Sequence, residues 1–145
     1  MIYTDSGKYA IRALTYMAAR EDQESPASAA DVAEAESIPP YYLAKVMQDL
    51  ARAGLLNSVR GRGGGFLLKR PPEDIKVIEI LESVENIDRL TTDCVLGLDE
   101  CSDEASCPLH DTWTQFREQL LDSFTALTLA DMVRELLKKR HALEA

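Results

Sequence analysis

Three cysteines fall within 14 residues, Cys94, Cys101 and Cys107, and the third is followed at once by Pro108 and then by His110. The spacing is Cys94-x6-Cys101-x5-Cys107-x2-His110. An odd group of cysteines in a chain that opens on Met1–Asp5, without a basic leader and apolar run, makes a poor disulfide framework, so ligation or redox chemistry is the better expectation. Three thiolates and an imidazole suit either zinc or an iron-sulfur cluster. Zinc sites generally pair cysteines about two to four residues apart, because one tight turn presents both sulfurs to a small ion. Gaps of six and five fit a wider iron-sulfur cluster better, with zinc and metal-free thiols as the rival readings. An isolated histidine is more often a helix cap or a surface residue. Beside a clustered cysteine His110 becomes a candidate fourth ligand, which would make cluster retention depend on pH.

These donors need elements to hold them, and the charge pattern shows how the chain is organised. Its 145 residues suit one compact domain with an attached element, and neither the hydrophobic content of 46% nor the charged content of 28% marks a disordered chain. No apolar stretch approaches the roughly 20 residues that cross a bilayer, so a cytoplasmic protein with no membrane partner is expected. The net charge of -9 argues against nucleic acid until it is resolved by segment. Residues 41–70 carry six cations against one acid, Asp49, whereas residues 73–145 carry seven cations against 17 acids. With a Debye length of about 8 to 10 Å, a basic face can meet phosphates while distant regions stay acidic.

Along the chain, Tyr9, Ala10, Ala13, Leu14, Met17 and Ala18 recur at helical spacing from Ser6 onward, an amphipathic first helix. Ser28 caps a short second helix over residues 29–35, with Asp31 three positions on. Pro39 and Pro40 open a third helix to about Ala53, with Leu43, Val46, Met47 and Leu50 as its apolar stripe and Gly54 as its stop. Tyr41, Tyr42, Lys45, Gln48 and Arg52 occupy its other positions, so the pair predicts a helix-turn-helix with a polar, basic outer face. Residues 55–60 and 66–69 read as a β-hairpin around Gly61-Arg62-Gly63-Gly64-Gly65, with Arg60 and Arg62 at its tip. A phosphate-binding loop is a poor rival, since the Walker lysine is missing and no helix follows. The expected fold is therefore mostly α with one small hairpin, a winged helix-turn-helix plus a long dimerisation helix.

After Pro71 and Pro72 the apolar face Val77, Ile80, Leu81 and Val84 predicts a fourth helix ending near Asn86. Residues 87–108 form a polar loop holding all three cysteines, and a loop that long in a small protein is usually functional or disordered. Trp113, Phe116, Leu120, Phe124 and Leu127 follow at near-heptad spacing, the rhythm of a helix packing along another and the expected contact of a homodimer. A short last helix is expected after the cap Thr128, with Asp131 at the third position and Leu129, Met132, Val133, Leu136 and Leu137 on its apolar face. The expected division is residues 1–72 for DNA binding and residues 73–145 for the cluster loop and dimerisation helices.

Tyr9-Ala10-Ile11, Ile38-Pro-Pro-Tyr-Tyr-Leu43, Ala53-Gly54-Leu55, Ser58-Val-Arg-Gly61, Gly63-Gly-Gly-Phe66 and the three cysteines followed by His110-x2-Trp113 together resemble the bacterial iron-sulfur winged-helix transcription regulators, over nearly the whole chain. The resemblance implies that Cys94, Cys101 and Cys107 are cluster ligands and that His110 matches the fourth ligand of the family member that regulates cluster assembly, which holds a 2Fe-2S cluster; the first cysteine gap is six here and five there, which leaves 2Fe-2S, the better expectation, and 4Fe-4S both open. In some nitric-oxide-sensing members the fourth ligand is an acid near the N-terminus; Lys8 stands at that position here, and Asp5 is out of register. Tyr41, Tyr42 and Lys45 match the exposed start of the recognition helix, and Arg60 matches the wing arginine that faces the minor groove. Ala44 replaces a glutamate used in operator discrimination, and a methyl group cannot accept from a cytosine amine.

The expected function is a non-enzymatic transcription regulator that reads double-stranded operator DNA as a homodimer and senses iron-sulfur status, redox or nitric-oxide stress, acting as a repressor or activator. The rival is an electron-transfer protein using the winged helix to bind another protein. Hydrolytic catalysis has little basis, because His110 and His141 make no evident nucleophile and base pair.

Overall fold

The computed structural model describes residues 3–145. Helix α1 (Asp5–Ala19) is followed by α2 (Ala29–Glu36) and α3 (Pro40–Arg52), then strands β1 (Leu56–Val59) and β2 (Gly65–Leu68). A 3₁₀ turn at Pro72–Asp74 leads to α4 (Val77–Val84), the one-turn α5 (Arg89–Thr92), α6 (His110–Ala126) and α7 (Leu129–Glu144). The winged-helix expectation is met.

Local chemistry explains the boundaries. Ser28 Oγ accepts from the amide of Asp31 at 3.1 Å and opens α2, and Ser37 closes it in the left-handed region at φ 54°. Pro40 starts α3 where its missing N–H costs nothing, and Gly54 leaves the helix at φ +85°. Leu43, Val46, Met47 and Leu50 are all buried, the stripe that the spacing predicts, and each contributes about 1.5–3 kcal/mol on burial. They meet Ala10, Leu14 and Met17 of α1, Leu55, Ile75, Ile80, Leu81 and Leu129 in one hydrophobic core.

The strands pair antiparallel with Leu56 opposite Leu68 and Val59 opposite Gly65. A single residue before α2 completes the wing: the amide of Ala27 donates to Phe66 at 2.9 Å, and that of Phe66 donates back at 2.8 Å. Close approach there requires glycine, since a Cβ on Gly65 would lie 2.4 Å from the carbonyl oxygen of Ala27. A second bridge ties the C-terminal half to the core: the amide of Val77 donates to Leu127 at 2.9 Å and that of Leu129 to Ile75 at 2.8 Å.

Two elements differ from the sequence expectation. The last helix is 16 residues long rather than short, because Asp131–Arg134 and Glu135–Lys138 pair at i,i+3 along its exposed face and Arg140 anchors its far end on Glu36. The cysteine-bearing loop is less irregular than expected: it holds α5 and an antiparallel bridge between Asp93 and Glu100.

Candidate functional site

The cysteine loop leaves α5 at Asp93 and returns at the start of α6. Its course is fixed by the amide of Cys101, which donates to Thr92 at 2.8 Å, and by the Trp113 indole N–H, which donates to the carbonyl of Asp93 at 3.1 Å. The amide of His110 donates to Cys107 at 3.0 Å, so the third cysteine lies against the first turn of α6.

Cys94, Cys101, Cys107 and His110 all line one cavity of about 190 Å³, together with Leu98, Ala105 and Pro108. The Cys94 and Cys107 sulfurs are 3.9 Å apart, and the Cys101 sulfur is 3.1 Å from His110 Nδ1. All three cysteines are free and half-buried, and His110 is buried. The amides of Leu96 and Leu98 hold the Cys94 thiol below its ordinary pKa, which favours the thiolate that ligation requires. Among the described residues no group of three Cys, His, Asp or Glu donors is already gathered for a metal ion.

His110 Nε2 lies 2.8 Å from the exposed carboxylate of Asp103. That pairing turns Nδ1 toward the thiols and fixes the ring, the arrangement in which an outer carboxylate orients a ligating imidazole. Sequence reasoning missed Asp103, since acids fill this loop and nothing in the spacing marks that one. It missed Glu85 as well. Glu85 Oε1 accepts from the Thr4 amide and hydroxyl, each at 2.6 Å, and from the Gly7 amide at 3.0 Å, capping α1 from the segment that enters the cysteine loop.

The candidate DNA-reading side chains lie on α3 and the hairpin. Tyr41 is 91% exposed, and Lys45 and Arg52 are exposed, Arg52 pairing with Asp49 at 3.1 Å. Tyr42 is half turned inward, its hydroxyl 2.7 Å from Ser6 Oγ and its ring edge-on to Tyr9 at 5.3 Å. Arg60 and Arg62 are exposed at the hairpin tip, with no ion pair among the described residues. Gly64 makes that tip tight, because a Cβ there would lie 2.2 Å from the carbonyl oxygen of Val59.

The candidate dimer stripe is divided. Phe124 packs edge-on to Tyr3 at 6.1 Å, and Leu120 and Trp113 are half-buried, whereas Phe116 and Leu127 are 43% and 39% exposed. The only buried residue of this 17-residue helix is His110.

Residues 3–135 match the family model for Rrf2, described as an iron-dependent transcriptional regulator. The chain belongs to the Rrf2 family. It is 33% identical over 135 residues to the HTH-type transcriptional regulator IscR of Xenorhabdus nematophila, covering 92% of this chain and 80% of that one. The solved structure of T. potens IscR is 28% identical and superposes with a TM-score of 0.68 over 92% of this chain and 86% of that one. CymR, the global cysteine regulator of B. subtilis, shares the fold at 22% identity, with a TM-score of 0.74 over 91% of this chain and 95% of that one. This Rrf2 protein is thus a DNA-binding transcription regulator with a winged-helix fold, not an enzyme. Among its described residues no helix is long and apolar enough to cross a membrane.

Proposed function

We propose that this Rrf2 regulator binds operator DNA as a homodimer and that its grip on DNA is set by an iron-sulfur cluster held by Cys94, Cys101, Cys107 and His110. The observation that carries the reading is the meeting of three free thiols and a carboxylate-oriented imidazole around one cavity. The cysteine gaps of six and five suit a 2Fe-2S cluster better than one zinc ion, and the family model's description as iron-dependent agrees. When bound, the cluster supplies a reversible one-electron couple and a centre open to oxidants and nitric oxide.

The protein's own residues do the rest. Ligation would fix the path of residues 94–110, which joins α5 to the start of α6. Because Glu85 caps α1 just before that loop, and Ser6 holds Tyr42 on α3, a change in the loop can reach the reading head through packed groups. The cluster can shift operator affinity only by its differential affinity for the two arrangements. Tyr41, Tyr42, Lys45 and Arg52 would enter the major groove, with Arg60 and Arg62 along the backbone or in the minor groove. Trp113, Phe116, Leu120, Phe124 and Leu127 would seat the partner chain, so that two heads meet a two-fold operator. We keep the division of labour at 1–72 and 73–145, and place the protein in the cytoplasm, where its DNA is.

The test is the visible spectrum with iron and sulfide analysis of anaerobically purified protein. A coloured sample with about two irons and two sulfides per chain, lost in Cys101→Ala, is expected. A colourless sample, or one carrying stoichiometric zinc, overturns the cluster assignment.

A further inference from the structure

The recognition helix and hairpin do not exhaust the cationic surface around the reading head. Near its C-terminal end helix α7 carries Lys138, Lys139, Arg140 and His141, four basic types in succession within a C-terminal half that is otherwise rich in acid. Arg140 Nη2 lies 2.8 Å from one oxygen of Glu36, and Arg12 Nε lies 3.3 Å from the other. The Glu36 side chain is 2% exposed and is the last residue of α2, immediately before the turn into α3. Two guanidinium groups face one carboxylate, so the clamp neutralises Glu36 and keeps a positive charge in surplus.

The clamp also gives the end of α7 a definite place. Arg12 lies 6.0 Å over the Tyr9 ring, and Tyr9 packs edge-on to Tyr42 in the first turn of α3. The last turns of α7 are therefore linked through Glu36, Arg12 and Tyr9 to the N-terminal end of the recognition helix. Lys139 is exposed and makes no ion pair among the described residues. Among the described residues Lys138 pairs only with Glu135, in a pair whose side chains are 67% and 61% exposed, and such a pair holds its partners weakly. Cations at a helix C-terminus complement its dipole wherever the helix lies. That does not account for two arginines, themselves partly exposed, clamping the buried Glu36 carboxylate and fastening this helix end to the turn of the helix-turn-helix.

We propose that the C-terminal turns of α7 are a second phosphate-contacting surface, in which Lys138 and Lys139 hold the DNA backbone beside the groove that α3 enters. The inference rests on the operator-binding reading above and adds to it a contact outside the helix-turn-helix and wing. Phosphate contacts position a protein without reading sequence, so the surface needs cations at a fixed place and no base-specific group.

The experiment measures anisotropy of a labelled, random-sequence duplex of about 30 base pairs across a potassium chloride series, because each lost phosphate contact lowers the salt slope by about 0.9. The holoprotein is compared with Lys138→Ala/Lys139→Ala, Lys138→Arg/Lys139→Arg and Lys45→Ala. The double alanine variant is expected to bind more weakly, with a slope shallower by about 1 to 2 for each chain that engages the duplex, and the double arginine variant to keep the wild-type slope. Retention in the arginine variant shows that charge, rather than helix integrity, is read. An unchanged slope in the double alanine variant, with a shallower one in Lys45→Ala, overturns the α7 surface and leaves the reading head intact. Absence of salt-dependent binding by the wild type overturns both.

Discussion

Glu85 is the residue on which the start of α1 depends, and replacing it gives a prediction with a definite size. Thr4, the N-cap residue of α1, makes no side-chain capping bond to its own helix; instead Glu85 Oε1 accepts from the Thr4 amide and hydroxyl and from the Gly7 amide. Losing an N-cap acceptor costs about 0.5–2 kcal/mol. Losing a negative charge at a helix N-terminus costs about 0.3–1 kcal/mol more. Glu85→Ala should therefore destabilise the fold by roughly 1–3 kcal/mol, a fall in Tm of about 3–9 °C at fixed protein concentration. Glu85→Gln keeps an acceptor and loses the charge, so it should cost only about 0.3–1 kcal/mol. The sharper arm is Gly7→Ala. Helix propensity alone predicts a gain of about 1 kcal/mol. Here, however, a Cβ on Gly7 would lie 2.4 Å from Glu85 Oε1 and 2.9 Å from Leu81 Cδ2, so the Glu85 side chain must leave its cap, and the forfeited cap offsets that gain for a net loss of roughly 0–2 kcal/mol. Because both changes act at one contact, the double variant Gly7→Ala/Glu85→Ala should cost less than the sum of the singles. Thermal and urea unfolding followed by circular dichroism measure all four variants. A Gly7→Ala protein more stable than wild type, beside an unaffected Glu85→Ala, would refute the capping argument.

Three shorter predictions concern other parts of the chain. Phe116→Glu places a charge on an exposed aromatic of α6 and should raise the dimer dissociation constant at least about tenfold in sedimentation equilibrium, with the melting of the monomer little changed. Gly64→Ala forces the hairpin tip off the carbonyl of Val59 and should weaken operator binding several-fold in an anisotropy titration, while far-ultraviolet circular dichroism stays helical. Asp131 has its carboxyl pKa lowered to about 2, first by the Thr128 amide and then by Arg134. Its contribution is therefore fully present above the unfolded carboxyl value near 4 and is lost as pH falls through about 2. The stability gap between wild type and Asp131→Asn in urea should be constant from pH 7 to about 4 and narrow below that.

The repeating features of the fold were legible in the sequence because they rest on periodicity and local chemistry. The stripe Leu43, Val46, Met47 and Leu50, the caps at Ser28 and Thr128, the stop at Gly54 and the glycine-rich hairpin turn all stand where their spacing put them. What escaped depends on residues far apart in the chain. Ala27 pairs with Phe66 through one residue, too short for any alternation to show. The length of α7 escaped because its polar outer face, held by i,i+3 pairs and by Arg140 on Glu36, lacks an apolar pattern out to Glu144. Of the candidate site, the four donors could be read from spacing, and the structure does bring them around one cavity. The roles of Asp103 and Glu85 could not, since one acid among 25 carries no mark of what it will meet.

The most direct test of a cluster that governs the grip on DNA is one comparison of operator affinity, for an operator selected from randomised DNA, between anaerobic cluster-loaded protein and the same preparation after the cluster is removed, at a single potassium chloride concentration. Coupling between two sites is typically worth about 5- to 150-fold, so the two affinities should differ by at least about fivefold. Identical affinities for the loaded and stripped dimers would contradict the account.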